Sequence, residues 1–184
     1  MPKIEFHFDF GSPNAYLSHL VLPQVEAEIG LKFKGLKFEY VPVLLGGVFK
    51  ATNNVSPMVS MQGIKNKPDY SRIETERFLK TYNIFPYTPN PYFPVNTLKI
   101  MRGAVFAQKT DYFKEYVDLI YKSMWHSAYK MDDIDVIESA IKTAGLPLDE
   151  IITGMNEPSV KQRLIDNTEQ SVSRGTFGSP TFYV

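Results

Sequence analysis

The sequence predicts a single α/β domain in which one β-sheet is interrupted by a long helical insertion. Three observations lead to this fold class. The chain has 184 residues, the length of one domain. It starts with a strand–helix–strand pattern, and it closes on a short β-like run after a long helical stretch. A lone strand cannot form a domain of its own, so one sheet accounts best for both strand regions.

The first strand, helix and second strand form a βαβ unit. Apolar and polar residues alternate from Ile4 to Phe10, which is the period of a half-buried strand. The segment 11–13, Gly-Ser-Pro, ends that strand, and apolar residues at helical spacing then continue to Gly30. A second alternating run covers 36–43. A crossover of this length predicts two parallel strands joined right-handedly.

From about residue 44 the pattern is helical, and it stays so up to residue 174. Residues 84–95 are rich in proline and predict an extended loop. The run 179–184 predicts a last strand. The helices predicted in this part of the chain are 44–51, 69–82, 96–109, 111–128, 132–144, 147–154 and 158–174.

Composition excludes several classes of function. Twenty basic residues balance twenty acidic ones, so no net field attracts nucleic acid or an anionic membrane. No apolar run is long enough for a membrane span. The first residues lack the apolar core of a signal peptide, so we expect a cytoplasmic protein.

The chain contains no cysteine, which excludes disulfides, thiolate metal sites and a cysteine nucleophile within it. The three histidines, His7, His19 and His126, show no metal-ligand spacing, and we predict no metal site. Any sulfur chemistry therefore needs a sulfur from outside the chain.

Ser12 is the first candidate functional residue. It stands where the first strand becomes the first helix, and serine before proline is a favoured helix N-cap. One interpretation is that Ser12 only caps the helix. The other is that the helix N-terminus stabilises a bound thiolate, to which the Ser12 hydroxyl donates a hydrogen bond. Spacing alone leaves both open.

Two further segments are candidates for ligand binding. Ser179-Pro180 leads into the last strand, where a cis bond would let an extended ligand pair with the backbone, although trans is the commoner form. Asn53 and Asn54 mark a turn, or Asn54 holds a ligand through its carboxamide. Lys65 and Lys67 follow closely and could neutralise an anionic ligand, although most lysines are solvated.

Taken together, these residues resemble the 2-hydroxychromene-2-carboxylate isomerases and the related kappa-class glutathione transferases. The resemblance is carried in order by 8–17 (Phe-Asp-Phe-Gly-Ser-Pro-Asn-Ala-Tyr-Leu), 40–54, 93–98, 164–168 and 175–182. These families have a thioredoxin-like fold with a helical insertion, as in the oxidoreductase DsbA. Where redox relatives have Cys-x-x-Cys, this chain has Ser-Pro-Asn-Ala, so dithiol exchange is excluded.

The resemblance implies that glutathione is the cofactor. Its cysteine backbone would pair with Ser179 beside a cis Pro180, Asn54 would contact its glycine end, and Ser12 would hydrogen-bond its sulfur. The implied activity is a glutathione-dependent isomerase of the 2-hydroxychromene-2-carboxylate type. A kappa-like glutathione transferase and a redox-inactive peptide-binding module are the alternatives.

The resemblance also suggests how the rest of the protein is arranged. We expect the substrate, a small molecule, to lie against Phe49, Tyr87 and Trp125, although Trp125 at its helical spacing could equally belong to the core. We also expect the protein to be a homodimer. Residues 1–50 and 175–184 would form the thioredoxin-like domain, and residues 51–174 would form the helical insertion.

The sequence departs from the family in two places. Gly11 stands where relatives often have a larger apolar residue. Family members also continue beyond the last strand with a Gly-x-Asp-Arg-like segment, whose aspartate holds the γ-glutamyl amine. The sequence to Val184 does not include that segment, which indicates either a chain truncated at its C-terminus or a divergent short form of the family.

Overall fold

A three-stranded sheet contains the first and last strands of the chain. The computed structural model describes residues 3–31, 33 and 35–184. In these residues the strands are β1 (Lys3–Phe8), β2 (Lys37–Pro42) and β3 (Thr181–Tyr183), in the order β2-β1-β3. β1 is parallel to β2 and antiparallel to β3. The predicted fold class, with one sheet and a helical insertion, is confirmed.

Every predicted helix is present, with ends that differ from the prediction by three residues or fewer. One further helix, of four residues, was not predicted. All four of its residues are exposed, so it has no buried apolar face that a periodic pattern could reveal. The helices are α1 (Pro13–Gly30), α2 (Leu45–Thr52), α3 (Pro57–Ser60), α4 (Lys67–Thr81), α5 (Leu98–Ala107), α6 (Phe113–Trp125), α7 (Ile134–Thr143), α8 (Leu148–Asn156) and α9 (Pro158–Ser173).

The predicted extended loop at 84–95 is confirmed, and its peptide bonds before Pro86 and Pro94 are cis. Asn90 holds the loop on the end of α6, because its buried side-chain amide donates to the carbonyls of Met124 and Tyr129, both at 2.9 Å. The loop is therefore ordered by specific hydrogen bonds despite lacking regular structure.

Alternation along β1 separates two layers. Phe6 and Phe8 are fully buried on one face, and the Tyr121 ring of α6 lies 5.9 Å from Phe8. His7 points to the other face, where its Nδ1 lies 2.8 Å from the Ser171 hydroxyl of α9. Burying a phenylalanine contributes about 1.5–3 kcal/mol, so this strand anchors the core.

α9 packs directly against the sheet. The Asn167 amide donates to the Pro42 carbonyl at 3.0 Å, in addition to the Ser171 contact with His7. The division into a thioredoxin-like domain (1–50, 175–184) and an insertion (51–174) stays a prediction, and α9 is the part of that insertion which contacts the sheet.

Candidate functional site

Ser12 lies at the N-terminus of α1, at the end of the loop that follows β1. Its backbone is extended, with φ −94° and ψ 115°, and its hydroxyl oxygen accepts a hydrogen bond from the Ala15 N–H at 3.1 Å. Pro13 occupies the first helical position. The capping interpretation of Ser12 is therefore confirmed, and its role towards a thiolate stays a prediction.

The Ser12 hydroxyl also makes a long-range contact. It donates to the backbone carbonyl oxygen of Ser179 at 2.7 Å, which joins residues 167 positions apart. The Ser179–Pro180 peptide bond is cis, as predicted. The structure thus brings two predicted site residues, Ser12 and Ser179, into direct contact at the end of β1.

A buried carboxylate, Asp9, holds this loop in place. One oxygen accepts from the Gly11 N–H at 2.7 Å, and the other accepts from the Leu45 N–H at 2.7 Å and the Thr97 hydroxyl at 3.1 Å. Burial raises the pKa of the Asp9 carboxyl, and these three hydrogen bonds oppose the rise. Asp9 thereby fixes the start of α2 and the start of α5 beside Ser12.

Asp9 and Thr97 are site-building residues that sequence reasoning missed. The alternating pattern gave no signal for Asp9, because it occupies a polar position after Glu5 and His7, and only its full burial shows that the charge needs partners. The same geometry bears on Gly11, where a Cβ atom would lie 3.1 Å from the Thr97 methyl and 3.2 Å from an Asp9 oxygen. A larger residue at this position would require Thr97 to move.

Asn54 lies just beyond the end of α2 and contacts the loop before Ser179. Its amide nitrogen donates to the Phe177 carbonyl at 2.8 Å, and its side-chain oxygen accepts from the Val55 N–H at 2.8 Å. Asn53 has the left-handed φ of 53° that ends the helix, so the predicted turn is confirmed. Asn54 is thus hydrogen-bonded to the loop that leads to Ser179, and both residues are accessible to solvent.

The three aromatic residues predicted for a substrate pocket occupy different environments. Trp125 is only 3% exposed and donates from Nε1 to the Phe10 carbonyl at 2.8 Å. Tyr87 is half-buried and lies parallel to Trp125 with ring centroids 6.4 Å apart. Phe49 is half-buried on α2, and none of the aromatic pairs between described residues includes it. The structure brings Tyr87 and Trp125 together, without Phe49.

A cavity of about 390 Å³ lies between the first turns of α1 and the middle of α4. It begins at Asn14, two residues after Ser12. Its lining mixes polar and apolar side chains, so it could accept a ligand that has both characters. The lining residues are Asn14, Leu17, Ser18, Ser71, Glu74, Thr75 and Phe78.

The end of α1 at Ser12 favours an anion, and the buried Asp9 carboxylate in the same loop opposes this effect. The first turn of α1 carries no acidic side chain, and the N-terminus of an α-helix has a partial positive charge.

Among the described residues no cluster of three potential metal ligands was found, and none of their helices is long and apolar enough to cross a membrane. Lys65 and Lys67 are exposed side chains beyond α3.

Comparison with known proteins relates this geometry to named enzymes. A glutathione S-transferase kappa 1 of Caenorhabditis elegans is 28% identical over 98% of this chain and 79% of its own length. A 2-hydroxychromene-2-carboxylate isomerase of Pseudomonas putida is 23% identical over 98% of this chain and 84% of its own. The two relatives carry the names of the two families that the sequence resembles.

Solved structures show the same fold. A 2-hydroxychromene-2-carboxylate isomerase superposes with a TM-score of 0.81 at 22% identity, covering 100% of this chain and 85% of its own. The cytosolic disulfide reductase DsbM of Pseudomonas aeruginosa, solved with glutathione, gives 0.64 at 14% identity, covering 100% and 86%. The sequence profile of the DSBA-like thioredoxin domain matches residues 3–184. The chain belongs to the DSBA-like thioredoxin domain family.

Proposed function

We propose that the chain binds glutathione and catalyses a glutathione-dependent isomerisation of the 2-hydroxychromene-2-carboxylate type. The observation that carries this proposal is the Ser12 hydroxyl, placed at the N-terminus of α1 and 2.7 Å from the Ser179 carbonyl oxygen. The relatives named above support the proposal. It also agrees with the sequence, which contains no cysteine, so that a reactive sulfur has to come from a ligand.

The polar groups around Ser12 fit glutathione through an exchange of hydrogen bonds. In the unliganded chain the Ser12 hydroxyl donates to the Ser179 carbonyl. An amide N–H of an extended ligand can replace it there, which frees the hydroxyl to donate to a thiolate. The Asn54 carboxamide is hydrogen-bonded to the loop before Ser179 and can hold the glycine end. Each protein group would then keep a partner, and no buried polar atom would be left unsatisfied.

The magnitude required of Ser12 and α1 is modest. A free thiol has a pKa near 8.5, and lowering it by about two units makes the thiolate the main form at pH 7. This shift corresponds to about 2.7 kcal/mol. A hydrogen bond to a charged group contributes about 1.5–3 kcal/mol, and a helix N-terminus adds about 0.3–1 kcal/mol. Together the two effects are large enough.

When bound, glutathione would supply a thiolate that adds to a conjugated carbonyl compound and leaves after the former double bond has rotated. Ser12 would stabilise the negative charge on the sulfur. The cavity beside Asn14 would hold the substrate, and Tyr87 and Phe49 would line its approach. Burial raises the pKa of Tyr87, so its hydroxyl stays protonated at neutral pH and can donate a hydrogen bond. We expect the buried Trp125 to hold the parallel ring of Tyr87 in position, without contacting the substrate itself.

A kappa-like glutathione transferase is the second candidate. The specific observation in its favour is the higher identity to the kappa transferase, 28% against 23% for the isomerase. The two activities differ in whether the sulfur leaves the product or stays on it. The Ser12 geometry serves both, so product analysis has to separate them.

Calorimetric titration with glutathione tests the binding step. S-methylglutathione is the matched ligand, because it keeps the backbone but cannot form a thiolate. We expect both to bind, and only glutathione to gain affinity as the pH rises towards the pKa of its thiol. If glutathione at millimolar concentration gives no heat, the enzyme proposals are wrong and the peptide-binding alternative gains support.

A spectrophotometric isomerase assay, with and without glutathione, tests the reaction. Turnover of 2-hydroxychromene-2-carboxylate that depends on glutathione and leaves it unconsumed supports the isomerase. A stable thioether product would support the transferase instead.

The oligomeric state and the location are further parts of the proposal. We propose a cytoplasmic homodimer acting on a small molecule, and the cytosolic disulfide reductase among the structural neighbours is consistent with that compartment. Light scattering of the purified protein measures the first property, and a fluorescent fusion locates the protein in the cell.

A further inference from the structure

A second cavity lies on another side of the molecule, between α2, α5 and α9, and its volume is about 370 Å³. We propose that it binds an amphiphilic carboxylate, a molecule with an apolar body and one carboxyl group. Pockets of about 300–1,000 Å³ with an apolar lining and a few polar groups are typical of small-molecule sites. This cavity is called the α2–α9 cleft below.

The lining of the α2–α9 cleft is mostly apolar. Ile165 is 49% exposed although it lies in the cleft beside buried Leu164. Removing apolar surface from water contributes about 25 cal/mol of free energy for each Å². An apolar ligand that covers this lining would therefore bind favourably. The uncharged lining residues are Leu44, Gly47, Ala51, Leu98, Leu164, Ile165, Thr168 and Val172.

The charged residues of the cleft are unbalanced. Lys50, Arg102 and Lys161 provide three cations, and Glu169 provides one carboxylate. None of these four groups forms an ion pair within the described part of the chain. The cleft therefore has an excess of positive charge, which favours an anionic ligand over a cationic one.

Arg102 gives the most specific indication. Its Nε atom is buried and has no hydrogen-bond partner among the described residues. A buried donor left unsatisfied costs about 1–3 kcal/mol, and more when it is charged. A carboxylate matches the guanidinium geometry and would satisfy Nε once the Arg102 side chain turns towards the cleft. Because the rest of the lining offers few polar groups, the remainder of the ligand must be apolar.

The α2–α9 cleft is distinct from the site around Ser12. Its lining shares no residue with that site, and none of its side chains is hydrogen-bonded to Ser12 or Ser179 in the described chain. The two regions are linked through α2 and α5: N–H groups at the start of α2 bind Asp9 and the Thr168 hydroxyl, and Thr97 at the start of α5 donates to Asp9. The inference therefore does not depend on glutathione binding.

Titration with decanoate tests the proposal, with decanol as the uncharged analogue of the same chain length. Spectra of protein labelled at leucine, valine and isoleucine methyl groups locate the binding. We expect decanoate to shift the signals of Leu98, Ile165 and Val172, and to bind about tenfold more tightly than decanol. Shifts confined to other methyl groups, or equal affinity for decanol, would overturn the proposal.

Variants separate the charge from the apolar lining. Lys161→Glu should weaken decanoate binding about tenfold, whereas Arg163→Glu, the same charge change on α9 outside the cleft, should change it less than about twofold. Ala51→Phe fills the cleft and should abolish binding of both probes. Equal effects of the two charge reversals would overturn the assignment.

Arg102→Met adds a test in which weaker decanoate binding cannot be explained by a loss of protein stability. Since Arg102 Nε has no partner among the described residues, its removal should leave the unfolding temperature unchanged or higher while decanoate affinity falls. Retained decanoate affinity in this variant would overturn the role of Arg102. A change of oligomeric state in Ala51→Phe, with no decanoate shifts in the wild type, would identify the cleft as a contact between copies instead.

Discussion

Replacing Ser12 with alanine removes two hydrogen bonds at once. The hydroxyl oxygen loses the Ala15 N–H at 3.1 Å, and the Ser179 carbonyl loses its donor at 2.7 Å. Loss of a serine cap costs about 1 kcal/mol, and a neutral hydrogen bond contributes about 1 kcal/mol. We therefore expect the unfolding free energy of Ser12→Ala to fall by about 2 kcal/mol. For a domain of this size the melting temperature should drop by about 4–8 °C.

The effect of Ser12→Ala on catalysis should exceed its effect on glutathione binding. A hydrogen bond to the charged sulfur contributes about 1.5–3 kcal/mol, which corresponds to a rate loss between about tenfold and a hundredfold. Most of the ligand backbone would still bind Ser179 and Asn54, so the glutathione dissociation constant should rise only a few-fold. Turnover with saturating glutathione and calorimetric affinity are measured on the same samples.

Two variants control this experiment. Ser56→Ala removes another serine cap, which accepts from the Met58 N–H at 3.2 Å, and should leave turnover unchanged. Ser12→Thr keeps a hydroxyl and should retain most of the activity. If Ser12→Ala lowers the melting temperature but keeps turnover within about twofold, Ser12 is only a helix cap and the thiolate role is refuted.

Three other predictions concern stability. Burial lowers the pKa of His7 below its ordinary value of 6.5. The stability that neutral His7 contributes is therefore fully present above pH 6.5 and is lost as the pH falls. His7→Gln should make the unfolding free energy less dependent on pH on the acid side. Gly154→Ala should destabilise the fold by about 1–3 kcal/mol or more in chemical denaturation, because its Cβ would lie 2.2 Å from Phe106 Cδ2. Asp9→Asn should cost about 1–3 kcal/mol, since one of the hydrogen bonds from Leu45, Gly11 or Thr97 would lose its acceptor, and glutathione affinity should fall with it.

The first two of these predictions have matched controls. His126→Gln alters a histidine that forms no ion pair within the described residues, and its pH profile should follow the wild type. Gly46→Ala adds a methyl group where nothing lies within 4 Å, and it should be neutral or stabilising by up to about 1 kcal/mol. Unchanged acid sensitivity in His7→Gln, or a Gly154→Ala variant as stable as Gly46→Ala, would contradict the packing described. An Asp9→Asn variant of wild-type stability would show that the Asp9 bonds are dispensable.

Much of the fold could be predicted because local signals determine it. The period of two along β1 and the change to helical spacing after Pro13 follow from the residues themselves. Helix ends were harder to predict, since they depend on distant contacts. The helix expected over 111–128 ends at Trp125 because Ala128 has a positive φ of 56° and the Tyr129 N–H bonds back to the Ser123 carbonyl. No periodicity in the sequence indicates that turn.

The candidate site was predictable only in part. Ser12 and Ser179 were named together through the family resemblance, and they touch. The contact between Asp9 and Thr97 joins residues 88 positions apart, and spacing carries no information about it. Trp125 was expected at the substrate surface, and the structure places it 3% exposed in the core. An aromatic residue at helical spacing has the same sequence pattern in either place.

The buried hydrogen bonds beneath Ser12 explain why a ligand would find its partners already in position. Asp9 fixes the loop through its carboxylate, and its own N–H donates to the Ser179 hydroxyl at 3.1 Å. The backbones of Ser12 and Ser179 are therefore held from inside the protein, independently of any ligand. Only the Ser12 hydroxyl would have to rotate if its acceptor changed from a carbonyl to the sulfur of the proposed ligand. Since little conformational entropy is lost in that rotation, most of the interaction energy can appear as stabilisation of the thiolate.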